Sequence, residues 1–303
     1  MVLKRNLSID YLRIVLSLLI VAIHVVLFND INNYLSYFIV NGLSRIAVPL
    51  FLLINGYYFY ESIKNGSHLI WLKKVLKLYI IWMLIYSVFW VDIKSLSKTI
   101  EVVFTGYYHL WYINALIISA ILTTLLKNKS FLLIIIGLFL YIVSIYLQYE
   151  HNLNNIHPDL HRTFLMTLPY FLTGFFINKY KLKIQKKYLS LIMILVFPFA
   201  VCEINFNFVH HGKMTDNMIW LIFLAFPIFL LLISNNKKII AKRGNYNIGV
   251  YATGIFFVHI IFVNVINKYN VISSTTLMFI TVILLSTLTV YVLLKTGLWK
   301  HIF

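Results

Sequence analysis

The sequence predicts an all-α protein, a polytopic transmembrane bundle of about ten helices with both termini in the cytoplasm. Three observations carry that expectation. The chain is 61% hydrophobic and 12% charged, with a mean hydropathy of +0.87, whereas a soluble domain has roughly 45–50% apolar and about 25% charged residues. Apolar runs recur along the chain, long enough to cross about 30 Å of hydrocarbon as helices of about 20 residues. The basic residues collect in alternate polar stretches, which is how cytoplasmic loops are recognised.

In chain order the expected spans cover residues 9–28, 34–60, 75–91, 110–126, 131–147, 163–177, 188–201, 218–234, 248–265 and 275–294. Lys4 and Arg5 precede the first span as they would a signal sequence, but no small-residue cleavage site follows, so a retained first helix is expected. Pro49 and Gly56 are expected to kink or loosen the second. The gaps on one side hold Lys4, Arg5, Lys64, Lys73, Lys74, Lys77, Lys127, Lys129, Lys179, Lys181, Lys183, Lys186, Lys187, Lys237, Lys238, Lys242, Arg243, Lys295 and Lys300. The opposite gaps hold Lys94, Lys98, Arg162, Lys213 and Lys268, so 19 cations stand against 5 and both termini are assigned to the cytoplasm. The outer gaps carry His151, His157, His161, His210, His211, Glu150, Asp159, Glu203 and Asp216, and all nine Asp and Glu are expected at span ends or in gaps. With no long polar gap and no internal repeat, residues 1–303 read as a single membrane domain.

A net charge of +17 would suggest nucleic acid in a soluble protein. Here the cations sit between apolar runs and the aromatic residues are spread through the spans and their ends, so no nucleic-acid partner is expected. Cys202 is the single cysteine, which excludes an intramolecular disulfide.

Arg13 and His24 interrupt the first apolar span, and ionisable groups at membrane depth are costly enough to mark functional sites. Eleven residues at about 100° each make three turns plus about 20°, so both side chains leave nearly one face, about 16 Å apart along the axis. One polar stripe would run from the inner leaflet to mid-membrane. Histidine suits proton transfer near neutrality, but the same pair also reads as His24 bonding a neighbouring helix and Arg13 snorkelling to the interface. Arg45, beside Pro49, either holds a polar ligand near freed backbone groups or snorkels at the outer interface. Lys74 and Lys77, at i and i+3 in the cluster Lys73-Lys74-Val75-Leu76-Lys77 preceding the third span, share a face suited to phosphates, though such runs also simply set topology. His151, His157 and His161 are irregularly spaced in an Asn-rich loop, so no metal site is expected.

Arg13-x10-His24, with Ile9-Asp10-Tyr11-Leu12 ahead of Arg13, resembles the first-helix signature of the acyltransferase-3 family of integral-membrane O-acyltransferases. Further blocks resemble that family in order: Arg45-Ile-Ala-Val-Pro-Leu-Phe51 through Asn55-Gly56-Tyr57, His109-Leu-Trp111-Tyr-Ile113, Phe171-Leu-Thr-Gly174-Phe-Phe, and Asn247-Ile-Gly249-Val-Tyr251-Ala-Thr-Gly254 through His259. Singly these are weak; together they cover nearly the whole chain. Two positions depart from the pattern. Lys74-x-x-Lys77 stands where the family commonly has Arg-x-x-Arg, and lysine lacks the bidentate phosphate contact. Asn55 stands where serine is common.

The resemblance implies a single acyltransferase domain in the inner (cytoplasmic) membrane, moving an acetyl group from cytoplasmic acetyl-CoA to a hydroxyl of a bacterial surface polysaccharide or its lipid-linked precursor. Another acyl-CoA donor or an amino-acid acceptor fits the same pattern. It implies His24 as general base or transient acyl carrier, with Arg13. Lys74, Lys77 and Arg13 would serve the phosphates or pantetheine of the donor. Arg45, His109, Trp111, Tyr251 and His259 would shape the substrate site, and Glu150, with Asp159 and Arg162, would recognise the acceptor. The rival class is a carboxylate-free transporter or flippase for a glycan precursor, because proton-driven transporters usually relay through buried carboxylates.

Overall fold

The computed structural model describes residues 6–91, 95–154, 163–210, 215–234 and 248–303, with backbone alone for 151–154. Lys4, Arg5, Lys94, Asp159, Arg162, His157, His161, His211, Lys213, Lys237, Lys238, Lys242, Arg243 and Asn247 lie outside the described residues, as does the side chain of His151.

Among the described residues the chain is helical throughout. The helices are α1 (Leu7–Val25), α2 (Asn33–Tyr37), α3 (Ala47–Lys64), α4 (His68–Trp90), α5 (Leu96–Thr105), α6 (Trp111–Leu125), α7 (Ser130–Asn154), α8 (Phe164–Lys179), α9 (Lys186–His210), α10 (Ile219–Ser234), α11 (Ile248–Tyr269), α12 (Thr275–Thr296) and α13 (Trp299–Ile302). Helix stands at each of the ten expected segments. Among the described residues seven stretches are long and apolar enough to cross a membrane: Leu7–Val25, Asn33–Lys64, Tyr108–Leu125, Ser130–Glu150, Lys186–His210, Ile248–Tyr269 and Thr275–Thr296. Ile219–Ser234 is apolar but shorter. Lys73, Lys74 and Lys77 dilute α4, which begins at His68, so these lysines ride on the helix instead of preceding it.

The second expected span is not one regular helix. A π-helical turn, Phe38–Gly42, and a 3-10 turn, Leu43–Ile46, come before α3. Pro49 has no N–H to return to the carbonyl of Arg45, so it is accommodated in the first turn of α3 and the irregular winding falls upstream of it. Gly56 does not loosen the helix either. A Cβ there would stand 1.9 Å from the Phe171 carbonyl oxygen, and one at Gly174 would stand 2.0 Å from the Leu53 carbonyl oxygen. The two glycines let the backbones of α3 and α8 touch, the small-residue packing by which membrane helices associate.

The contacts divide the chain into two compact units. One contains α1, α2, the two irregular turns, α9, α10, α11 and α12. In it α1 packs on α11, α11 on α12, and α9 on the π turn, where a Cβ on Gly42 would meet Ile204 at 2.8 Å. Gly254 similarly admits Val290, whose Cγ2 would lie 2.2 Å from an added Cβ. The other unit runs from α3 beyond Phe51 through α8 and includes residues 215–219. Leu133, Leu168 and Leu172 form a core there with Leu122, Ile136 and Phe176. Beside it Asn217 donates to Ser144 Oγ (3.0 Å) and accepts from the Tyr170 hydroxyl (2.8 Å), while Gln148 accepts from the Asp216 amide (2.8 Å).

Glu203 corrects the carboxylate expectation. α9 extends to His210, so Glu203 lies inside a helix that is long enough to span, and it is 7% exposed. Its Oε2 accepts the Trp220 amide (3.1 Å) at the start of α10, where helix N–H groups lack partners within the helix. That gives a buried carboxylate a structural duty.

Candidate functional site

α1 ends one residue after His24. Val26 takes a left-handed conformation (φ 51°), its N–H turned back to Ala22 and Ile23, a conformation costly for a β-branched residue. His24 is therefore in the last turn of α1, nearer the helix end than a helix over 9–28 would have placed it.

The expected polar stripe on α1 exists and faces α11. Arg13 Nη2 donates to Thr253 Oγ1 (3.0 Å), and Thr253 donates its own proton to the Gly249 carbonyl (3.0 Å). The threonine proton is thereby committed, leaving the oxygen as an acceptor toward the guanidinium. One turn on, Ser17 Oγ lies within donating distance of the Arg13 carbonyl (2.9 Å) and the Ala252 carbonyl (2.8 Å). At the end of the helix the His24 and His259 rings lie 5.2 Å apart, tilted by 35°. The contact at Arg13 falls on Thr253 and the one at His24 falls on His259, so residue numbers rise together along both helices and the two run parallel.

His259 is 0% exposed, with Nδ1 3.0 Å from the Ile255 carbonyl. A carbonyl only accepts, so Nδ1 carries a proton, and in the neutral ring Nε2 is the basic nitrogen. His24 is half-buried, so the pair couples a sequestered imidazole to a reachable one. Phe256 packs against His259 at 6.4 Å and against Phe51 at 5.9 Å.

The 3-10 turn bearing Arg45 packs on α1, and Arg45 is 6% exposed, with Nη2 donating to Asn41 Oδ1 (2.6 Å). That removes the snorkelling alternative for Arg45. Tyr251 is half-buried on α11. Arg13, His24, Arg45, Tyr251 and His259 thus all belong to the unit built on α1 and α11.

The other expected site residues belong to the second unit. Lys74 and Lys77 are exposed on α4. His109 is buried in the 3-10 turn Tyr108–Leu110, edge-on to Tyr86 at 5.5 Å. Trp111 opens α6 and Glu150 is half-buried late in α7. Asn55, which stands where serine is common in the family the chain resembles, donates to the Tyr112 hydroxyl (2.8 Å), and Asn178 donates to the Tyr57 carbonyl (2.7 Å). The Asn55-Gly56-Tyr57 and 171–176 blocks therefore pack helices against one another. No group of His, Cys, Asp and Glu fit to hold a metal occurs among the described residues.

Sequence reasoning missed Ser17 and Thr253. Ser17 was findable, since it stands four residues after Arg13 on the same stripe. Thr253 became meaningful only once α11 was known to be the neighbour of α1.

A family model described as an acyltransferase domain matches residues 6–295. The chain is 31% identical over 141 residues to an amino-acid racemase of Enterococcus faecalis, a match covering 40% of this chain and 20% of the racemase. It is 29% identical over 147 residues to a serine/alanine racemase of Enterococcus gallinarum, covering 42% and 20%. The matched stretches thus span about a fifth of the length of these relatives. No solved structure matches.

Proposed function

Since the chain belongs to the acyltransferase-3 family, we propose that it is a multi-pass inner-membrane O-acetyltransferase with both termini cytoplasmic, using cytoplasmic acetyl-CoA to acetylate a hydroxyl of a bacterial surface polysaccharide or its lipid-linked precursor. The family match runs through both compact units, which supports a single acyltransferase domain. The observation that carries the reading is the α1–α11 contact, with His24 beside His259 and Arg13 held by Thr253.

In this reading His24 takes the acceptor hydroxyl proton as the oxygen attacks the thioester carbon. The new C–O bond forms, the C–S bond breaks, and the proton passes to the departing thiolate. Alternatively the acetyl group rests first on the imidazole. Arg13, Lys74 and Lys77 serve the donor, the lysines as point charges rather than bidentate forks. Arg45, Tyr251 and His259 in the first unit, and His109, Trp111 and Glu150 in the second, are each assigned to substrate binding.

The racemase names of the partial relatives favour a second reading, in which the acceptor hydroxyl belongs to a small amino acid such as serine. Membranes containing wild-type or His24→Ala protein at matched expression, given radiolabelled acetyl-CoA, separate these outcomes. Base-labile label in a surface-glycan fraction with wild type alone supports the first reading. Label in a small-molecule fraction supports the second. If neither protein labels anything while both alter glycan export, a transporter or flippase replaces both.

A further inference from the structure

At the junction of α5 and α6 the second unit holds a partly open cavity of about 330 Å³, within the roughly 300–1,000 Å³ of small-ligand sites. Phe104, Tyr108, Trp111 and Phe164 supply aromatic surface, and Asn114 and Thr105 supply an amide and a hydroxyl. Among the described residues, all ten that line it are uncharged. From this we infer that the cavity is a subsite for a sugar ring of the acceptor, a step that rests on the glycan reading above.

The lining decides between ligand classes. A phosphate or an anionic headgroup calls for Arg, Lys or backbone N–H donors. A zwitterionic amino acid calls for a partner to each charge, since an unpaired charge is costly to desolvate. A neutral sugar ring needs neither. Its C–H face suits the negative face of an aromatic ring, and its hydroxyls need neutral donors and acceptors. Asn114 is anchored for that role: Nδ2 donates to the Phe104 carbonyl, which fixes the amide and leaves Oδ1 as an acceptor.

The turn that forms the cavity wall is held in unfavourable backbone. Tyr108 has φ 49°, and Gly106 has φ 92° with room for nothing larger, because a Cβ would fall 2.6 Å from the Trp111 nitrogen. A bulky residue at positive φ is strained, and such strain gathers at ligand sites. Here it holds Tyr108 at 46% exposure, and Phe104, at the end of α5 just before the turn, is 73% exposed, large aromatic surface left uncovered.

The test is saturation-transfer NMR on the full chain in phospholipid nanodiscs free of sugar detergent, with methyl glycosides of glucose, galactose, N-acetylglucosamine and rhamnose, and with serine and alanine as contrasts. At least one glycoside is expected to receive saturation on its ring protons. Trp111→Ala should weaken that contact about tenfold, the scale of one aromatic contact. Thr105→Trp, which fills the cavity from an exposed position, should abolish it without disturbing packing. No saturated glycoside, saturation indifferent to both variants, or saturation of serine or alanine alone would each overturn the subsite. Acetyl transfer by the same nanodiscs, with His24→Ala as control, is scored separately. Sugar contact without acetyl transfer defeats the proposed reaction and leaves the subsite; transfer without sugar contact does the reverse.

Discussion

Two helix pairs, one in each compact unit, are joined in opposite ways. α1 and α11 are joined by side chains, with Arg13 on Thr253, Ser17 on the Ala252 carbonyl and His24 beside His259. α3 and α8 are joined by the absence of side chains, since Gly56 and Gly174 bring carbonyls to where a Cβ would sit. The first contact spaces polar groups around a half-buried histidine and so can admit a substrate. The second admits nothing and serves only cohesion. Changes at the first contact should therefore alter chemistry with the fold kept, and changes at the second should alter the fold.

The largest expected effect is His24→Ala, which should lower acetyl transfer by about 10²–10⁴, the worth of a general base, with an unchanged melting profile in detergent. A coincident loss of melting temperature would mean that the histidine pair is a packing device and would erase the contrast. Next is Gly174→Ala. A methyl placed 2.0 Å from the Leu53 carbonyl oxygen should destabilise by at least the upper part of the about 1–3 kcal/mol typical of overpacking, seen as lower yield and melting temperature. Acetyl transfer per folded molecule should be retained.

Thr253→Val removes the acceptor that orients Arg13 and keeps the side-chain volume. It should raise KM for acetyl-CoA about tenfold while leaving melting nearly unchanged. An effect on melting alone would move Arg13 from donor binding to helix cohesion. The smallest effect is expected outside both contacts. Thr275 and Ser274 hydrogen bonds hold the Asp30 carboxyl below the ordinary aspartate range. A depressed carboxyl stabilises the fold above its unfolded value and loses that contribution as pH falls through its folded value. Thr275→Val should therefore cost a little melting temperature at neutral pH, and the difference from wild type should vanish in strong acid.

The contrast also separates what was legible in the sequence from what was not. The helices were legible because apolar runs of spanning length have few other uses. The stripe on α1 was legible because Arg13 and His24 are conspicuous in lipid and lie eleven residues apart. The role of Gly56 was misjudged as loosening, because a glycine that frees a backbone and one that admits another backbone look alike until the neighbour is known. Glu203 was placed in a gap since the apolar run ends before it, yet α9 continues to His210 and buries it. The cavity was invisible for the same reason. Trp111 was singled out, but Phe104 is brought back to it by the turn after α5 and Phe164 stands on α8, far from it in sequence.

The left-handed stop at Val26 gives α1 the character of a ruler. Its two working ends are separated by a fixed number of residues and terminated immediately afterwards. Deleting or inserting one residue between Arg13 and His24 would swing one end by about 100° relative to the other, so that Arg13 and His24 no longer reach α11 together. Substitutions within that stretch are comparatively cheap where they stay apolar. Divergence in α1 should thus run through changes of residue identity, and changes of length should accumulate beyond Val26, in the turn before α2.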